Sequence, residues 1–106
     1  MTTFDDRKDA FEKKHAHDEE LAFKAVARRN KLMGLWIAEQ IGLSGEKAEA
    51  YAKDVVAADL EEAGDEDVVR KIMADLAVYK LDLSEHRVRG KLTELHEIAR
   101  KQVAAS

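Results

Sequence analysis

Apolar residues recur along the chain at helical spacing, and together with capping residues they divide it into five segments. The first runs from Thr3 to about Lys14. Thr2 or Thr3 can cap it, and Asp5 and Asp6 suit the positive end of a helix dipole. Its apolar stripe is only Phe4 and Phe11, one heptad apart, with Arg7 and Lys8 between them. A helix of about twelve residues with so little apolar surface is marginal in water. Residues 1–17 are therefore expected to form an arm that is disordered or only nascently helical when free. The second segment starts near Asp18, where Asp18, Glu19 and Glu20 again place negative charge at a helix N-terminus, and ends at Ile41 before Gly42. Its stripe is Leu21, Ala25, Leu32, Trp36 and Ile37, interrupted by Arg28 and Arg29. Gly34 weakens this helix relative to Ala and points to close packing or a slight kink.

Ser44 caps the third segment, which is expected to reach Ala63 and stop at Gly64. Ala48, Tyr51, Ala52, Val55, Val56 and Leu60 give it a broad apolar face. Asp65 opens the fourth, with Val68, Val69, Ile72, Met73, Leu76 and Tyr79. Ser84 opens the fifth, with Val88, Leu92, Leu95, Ile98 and Ala99. Short connections make consecutive helices antiparallel neighbours. The prediction is an all-α four-helix bundle over residues 18–106, with helices at about 18–41, 45–63, 66–80 and 85–103, preceded by a marginally helical, mobile arm.

Composition narrows the function. The chain has 106 residues, 38% of them charged, with no proline and no cysteine. That length fits one domain. The lack of cysteine removes thiol catalysis, disulfides and thiolate zinc sites. A net charge of −4 without a basic cluster argues against nucleic acid as a partner. No apolar run approaches the roughly 18 residues of a membrane span, and the charged N-terminus is no secretory signal. A soluble intracellular protein is expected. The pairs Asp9–Lys13, Glu20–Lys24, Glu49–Lys53, Glu66–Arg70, Asp67–Lys71 and Glu97–Lys101 stand i to i+4 with the acid first, so most charge is assigned to solvated helix faces.

Little catalytic chemistry emerges. His15 and His17 are two apart and His86 and His96 ten apart, and neither spacing makes a helical zinc motif. His15 and His17 at the hinge of the arm would titrate near neutral pH and could bias its helicity. The acidic turn from Glu61 to Asp67 lacks the ligand alternation of a calcium loop and reads as a helix stop followed by a cap. No nucleophile elbow, phosphate loop or dinucleotide fingerprint occurs, and neither an enzyme nor a cofactor is expected. Two features ask for more than a structural account. One is the run Ala27 to Trp36, which sets Arg28, Arg29 and Lys31 beside the single tryptophan. Trp36 is read there as core and the basic residues as exposed. The other is the arm, which resembles a helix that folds into a partner's groove. A frayed terminus would have no reason to place Phe4 and Phe11 one heptad apart.

Several stretches together resemble one family. They are Met1-Thr2-Thr3-Phe4-Asp5-Asp6-Arg7, Phe11-Glu12-Lys13-Lys14 with Ala16-His17-Asp18-Glu19-Glu20, and the run RRNKLMGLW. The segments GLSGEKAEAYAKDVV, GDEDVVRKIMADL and SEHRVRGKLTEL extend the likeness over nearly the whole chain. The family is the zeta subunit, the ATPase inhibitor of the alphaproteobacterial F-type ATP synthase. His15 stands where the resemblance leads one to expect an aromatic residue.

The resemblance implies a non-enzymatic inhibitor of ATP hydrolysis. In that family the N-terminal arm enters a catalytic interface between the alpha and beta subunits, close to the gamma stalk, and blocks rotation in the hydrolysis direction. The implied partner is the catalytic head (alpha, beta and gamma), and the implied location is cytoplasmic, peripheral to the inner membrane through the synthase. On this reading Phe4 and Phe11 are apolar anchors, and Arg7, Lys8, Lys13 and Lys14 pair with acidic groups on the head. With Thr3 these residues make up the expected partner-binding set. A second reading stays open, a small regulatory bundle binding a purine nucleotide through Arg28, Arg29, Lys31 and Trp36, or a protein adaptor working through its bundle surface.

Overall fold

The computed structural model describes the backbone of residues 3–59 and 64–106, and the side chains of residues 17–59 and 64–106. The described residues form four α-helices and no strand: α1 (Thr3–Gln40), α2 (Gly45–Ala58), α3 (Glu66–Val78) and α4 (Glu85–Ala105). α1 lies along both α2 and α4, and α3 closes the bundle against α2 and α4. The all-α four-helix architecture read from the apolar spacing is the one observed.

The core is built from Met33, Ile37 and Ala38 of α1, Tyr51 and Val55 of α2, Val68, Val69, Ile72 and Leu76 of α3, and Val88, Leu92 and Leu95 of α4. The stripe on α1 is wider than its sequence suggested. Met33 is fully buried, while Leu32 and Trp36 only flank the core. A helix with neighbours on two sides must bury two adjoining faces, and that broadens the apolar arc. Tyr79 and Ile98, expected on buried faces, are exposed. Tyr79 is the residue that ends α3, so it has already left the packed face.

Helix ends show where local chemistry decides. At the end of α1, Gly42 takes φ 86°. The Leu43 N–H then donates to the Ala38 carbonyl at 2.8 Å and the Gly42 N–H to that of Glu39 at 3.3 Å, which satisfies carbonyls the helix leaves open. α3 ends the same way around Lys80 at φ 54°, with Leu81 N–H on Leu76 at 2.9 Å and Lys80 N–H on Ala77 at 3.1 Å. Ser84 caps α4 through its hydroxyl, which accepts from the Arg87 N–H at 3.1 Å. Ser44 and Asp65 occupy the corresponding positions of α2 and α3 but make no side-chain cap. The Asp65 carboxylate is held by Arg29 instead, at 2.8 Å.

Two boundaries differ from expectation. α2 stops at Ala58 rather than Ala63, its last turn tightened by the Asp59 N–H donating to the Val56 carbonyl at 3.3 Å. Residues 60–63 lie outside the described residues. The arm and the second segment are not separate helices, because α1 runs from Thr3 through Asp18 to Gln40 without interruption. Neither glycine nor proline occurs between Thr3 and Arg29 to stop it. Glu20, expected in the first turn of a new helix, instead pairs with Lys24 at 2.9 Å on the side of the continuing one.

Candidate partner-binding surface

α1 belongs to the bundle for only part of its length. Among its described side chains the first buried one is Ala25, and between His17 and Lys24 only Leu21 is even half-buried. The segment Thr3–Lys24 thus precedes the packed region on the same helix, about 33 Å of it at 1.5 Å per residue. The expected partner-binding side chains, those of Thr3, Phe4, Arg7, Lys8, Phe11, Lys13 and Lys14, lie outside the described residues, as does that of His15. His17 is exposed.

Arg28, Arg29, Lys31 and Trp36 are placed in different surroundings. The Arg28 guanidinium turns to the far end of α4, donating to Gln102 Oε1 at 3.0 Å. Lys31 is exposed. Trp36 packs beside the core, and its ring faces two cations of α4, Arg87 at 5.8 Å and Lys91 at 5.1 Å from its centroid. Arg29, expected on the surface, is 4% exposed. It donates from Nε and Nη2 to the Asn30 side-chain oxygen at 3.1 and 2.9 Å, and it forms the ion pair with Asp65. That pair ties the start of α3 to the middle of α1. A guanidinium enclosed this way has its donors committed to the fold.

A cleft of about 600 Å³ opens beside this pair, between Arg29 and Asp65 on one side and Arg89, Thr93, His96 and Glu97 of α4 on the other. Arg89 reaches Glu66 at 3.0 Å and Glu85 at 3.2 Å, and Arg100 reaches Glu97 at 2.7 Å. The hydrogen bond from Arg89 holds the Glu66 carboxyl below the usual glutamate value, and that from Arg100 does the same for Glu97. These are mutually neutralising pairs across the α3–α4 seam and along α4. They suit fastening helices rather than proton transfer. His96 is half-buried, with Nδ1 enclosed and without a hydrogen-bond partner. Among the described residues no group of three or more His, Asp or Glu could hold a metal ion, and no helix is long and apolar enough to cross a membrane.

Of the spaced charge pairs, Glu20–Lys24 and Glu97–Lys101 (3.8 Å) close as expected. Glu66 turns to Arg89, and Asp67 to Arg70 at 3.1 Å, because partners on a neighbouring helix or one residue nearer offer better geometry. The reading by spacing overlooked Phe23, which is 67% exposed on α1, two residues before the first buried position. Its signal was available, since Phe23 falls off the Leu21–Ala25 stripe, beside Glu19, Glu20 and Ala27 on the polar side of the helix.

No curated protein matches the chain. One similar solved structure, determined by solution NMR, is 53% identical and superimposes with a TM-score of 0.70, covering 78% of this chain and 94% of its own. The family described as ATPase inhibitor subunit zeta matches residues 1–102. That match takes in the start of α1 as well as the bundle. From end to nearly end, then, the chain belongs to the ATPase inhibitor subunit zeta family.

Proposed function

We propose that this protein inhibits ATP hydrolysis by inserting the start of α1 into an alpha/beta catalytic interface of the ATP synthase head, near the gamma stalk, where it blocks rotation in the hydrolysis direction. Family membership supplies the coarser part, an ATPase-inhibitory role in association with the ATP synthase. The observation that carries the finer part is the continuity of α1. A single helix, Thr3–Gln40, is clamped by the bundle from Ala25 onward and projects ahead of it. A blocking element must transmit force, and a helix anchored in a folded body does so better than a free chain. Helical spacing places Phe4 and Phe11 on one face of the projecting part, suited to apolar pockets, with Arg7, Lys8, Lys13 and Lys14 as cations to set register. Any ordering of these residues on insertion costs about 2–5 kcal/mol, which the two aromatic anchors must exceed.

The test is hydrolysis by a purified synthase head titrated with wild-type protein and with the double variant Phe4→Ala, Phe11→Ala. Loss of two aromatic anchors should weaken inhibition at least about a hundredfold, each being worth on the order of 2 kcal/mol. Inhibition by the variant at wild-type concentrations would refute insertion through this face.

A further inference from the structure

We infer that the end of the bundle from which α1 projects is a second contact surface for the synthase head, centred on Phe23. The inference rests on the proposed insertion of the start of α1 and adds a docking site on the folded body. Phe23 is 67% exposed, one of four large apolar side chains, with Val78, Tyr79 and Ile98, that stand mostly or partly in water among the described residues. It does not stand alone. A shallow groove of about 360 Å³ runs from Phe23 and Ala27 to Val103 at the end of α4. On the other side of the α1–α4 seam, Leu21, Ala22, Val26 and Ala104 line a second groove of about 320 Å³, mostly apolar. Val103 borders both. The end of the bundle therefore carries, along the α1–α4 seam, an apolar collar of two grooves edged by Asp18, Lys24, Arg28, His96, Arg100 and Gln102.

Geometry selects the occupant. Phe23 is nine residues beyond Lys14, about 14 Å along a helix. If α1 is inserted as far as Lys14, the rim of the receiving pocket stands within about 14 Å of this collar, and only that partner is brought there by the helix itself. An aromatic side chain seated on such a rim adds apolar area that leaves water only in the complex. Lys24 and Arg28 line the groove beside Phe23, Lys24 paired with Glu20 at 2.9 Å and Arg28 bonded to Gln102 at 3.0 Å, so the apolar centre has a polar border that already satisfies itself.

Phe23→Ser in the full-length chain tests this by inhibition of ATP hydrolysis, beside Phe4→Ala with Phe11→Ala and a control, Tyr79→Ser. Tyr79 is also exposed, but it lies at the opposite end, between α3 and α4. The inference predicts about tenfold weaker inhibition for Phe23→Ser, an unchanged melting temperature because the side chain is mostly in water, and wild-type inhibition for Tyr79→Ser. Inhibition by Phe23→Ser within twofold of wild type, with the Phe4 and Phe11 variant inactive, would overturn the collar and leave the inserted helix standing. Wild-type inhibition by all three would overturn both. Equal losses in Phe23→Ser and Tyr79→Ser would also overturn it, as would a dimer of the free protein that Phe23→Ser dissolves without loss of inhibition.

Discussion

Tyr51 shows how a single side chain can carry both packing and charge. Its ring is buried against α3, and its hydroxyl donates to Asp75 Oδ2 at 2.8 Å. Lys71 bonds the same oxygen at 3.1 Å and lies 5.2 Å from the ring centroid. Burial and then the Asp75 hydrogen bond push the phenol far above its ordinary value of 10.0. Because the folded value is raised, the stabilisation is complete below pH 10 and is lost as pH rises beyond it, where the unfolded chain ionises and the folded one resists. Urea unfolding of the wild type between pH 9 and 11 should show stability declining, with Tyr51→Phe declining less steeply and starting about 1 kcal/mol lower from the lost hydrogen bond. Parallel slopes for the two would refute the coupling. Tyr51 was legible in the sequence as a core residue. Its partner was not, because Asp75 lies 24 positions away and only the packing of α2 on α3 brings them together.

At the scale of the elements, α1 and α2 approach closely at Gly34. A Cβ there would stand 2.5 Å from the Ala52 Cα. Gly34→Ala sets an intrinsic helix gain of about 1 kcal/mol against a collision with backbone that cannot swing aside. The collision wins, and thermal unfolding should show a net loss of about 1–3 kcal/mol. A variant more stable than wild type would mean that the two helices are free to separate there. Gly34 was readable in sequence as a site of close packing or a kink, and the close packing is what occurs. Other elements were read less well for identifiable reasons. Arg29 was expected in water because its burial depends on Asp65, which reaches it only after the chain has turned from α2 into α3. Asp18 to Glu20 looked like a helix start because acidic residues favour that place, yet Glu20 serves equally in mid-helix because Lys24 follows at i+4. Helix existence and type came from periodicity, while helix ends were decided by tertiary partners.

For the whole molecule, the division of labour lies along α1. From Ala25 on, the helix is clamped between α2 and α4; ahead of that it meets solvent on nearly every side among the described residues. That residues 3–17 continue into α1 as one helix was not legible in the sequence, because spacing alone cannot tell one long helix from two abutting ones. The collar around Phe23 escaped for a related reason, since it is formed jointly by α1 and the end of α4. Removing residues 1–14 should leave the melting temperature of the bundle within about 2 °C of wild type, a shift well below that of 1 kcal/mol in a domain of this size. The decisive measurement is ATP hydrolysis by a purified synthase head with the full-length protein and this deletion side by side. The account predicts inhibition by the first and none by the second, although both are folded. Full inhibition by the deleted protein would contradict it and move the inhibitory site onto the bundle.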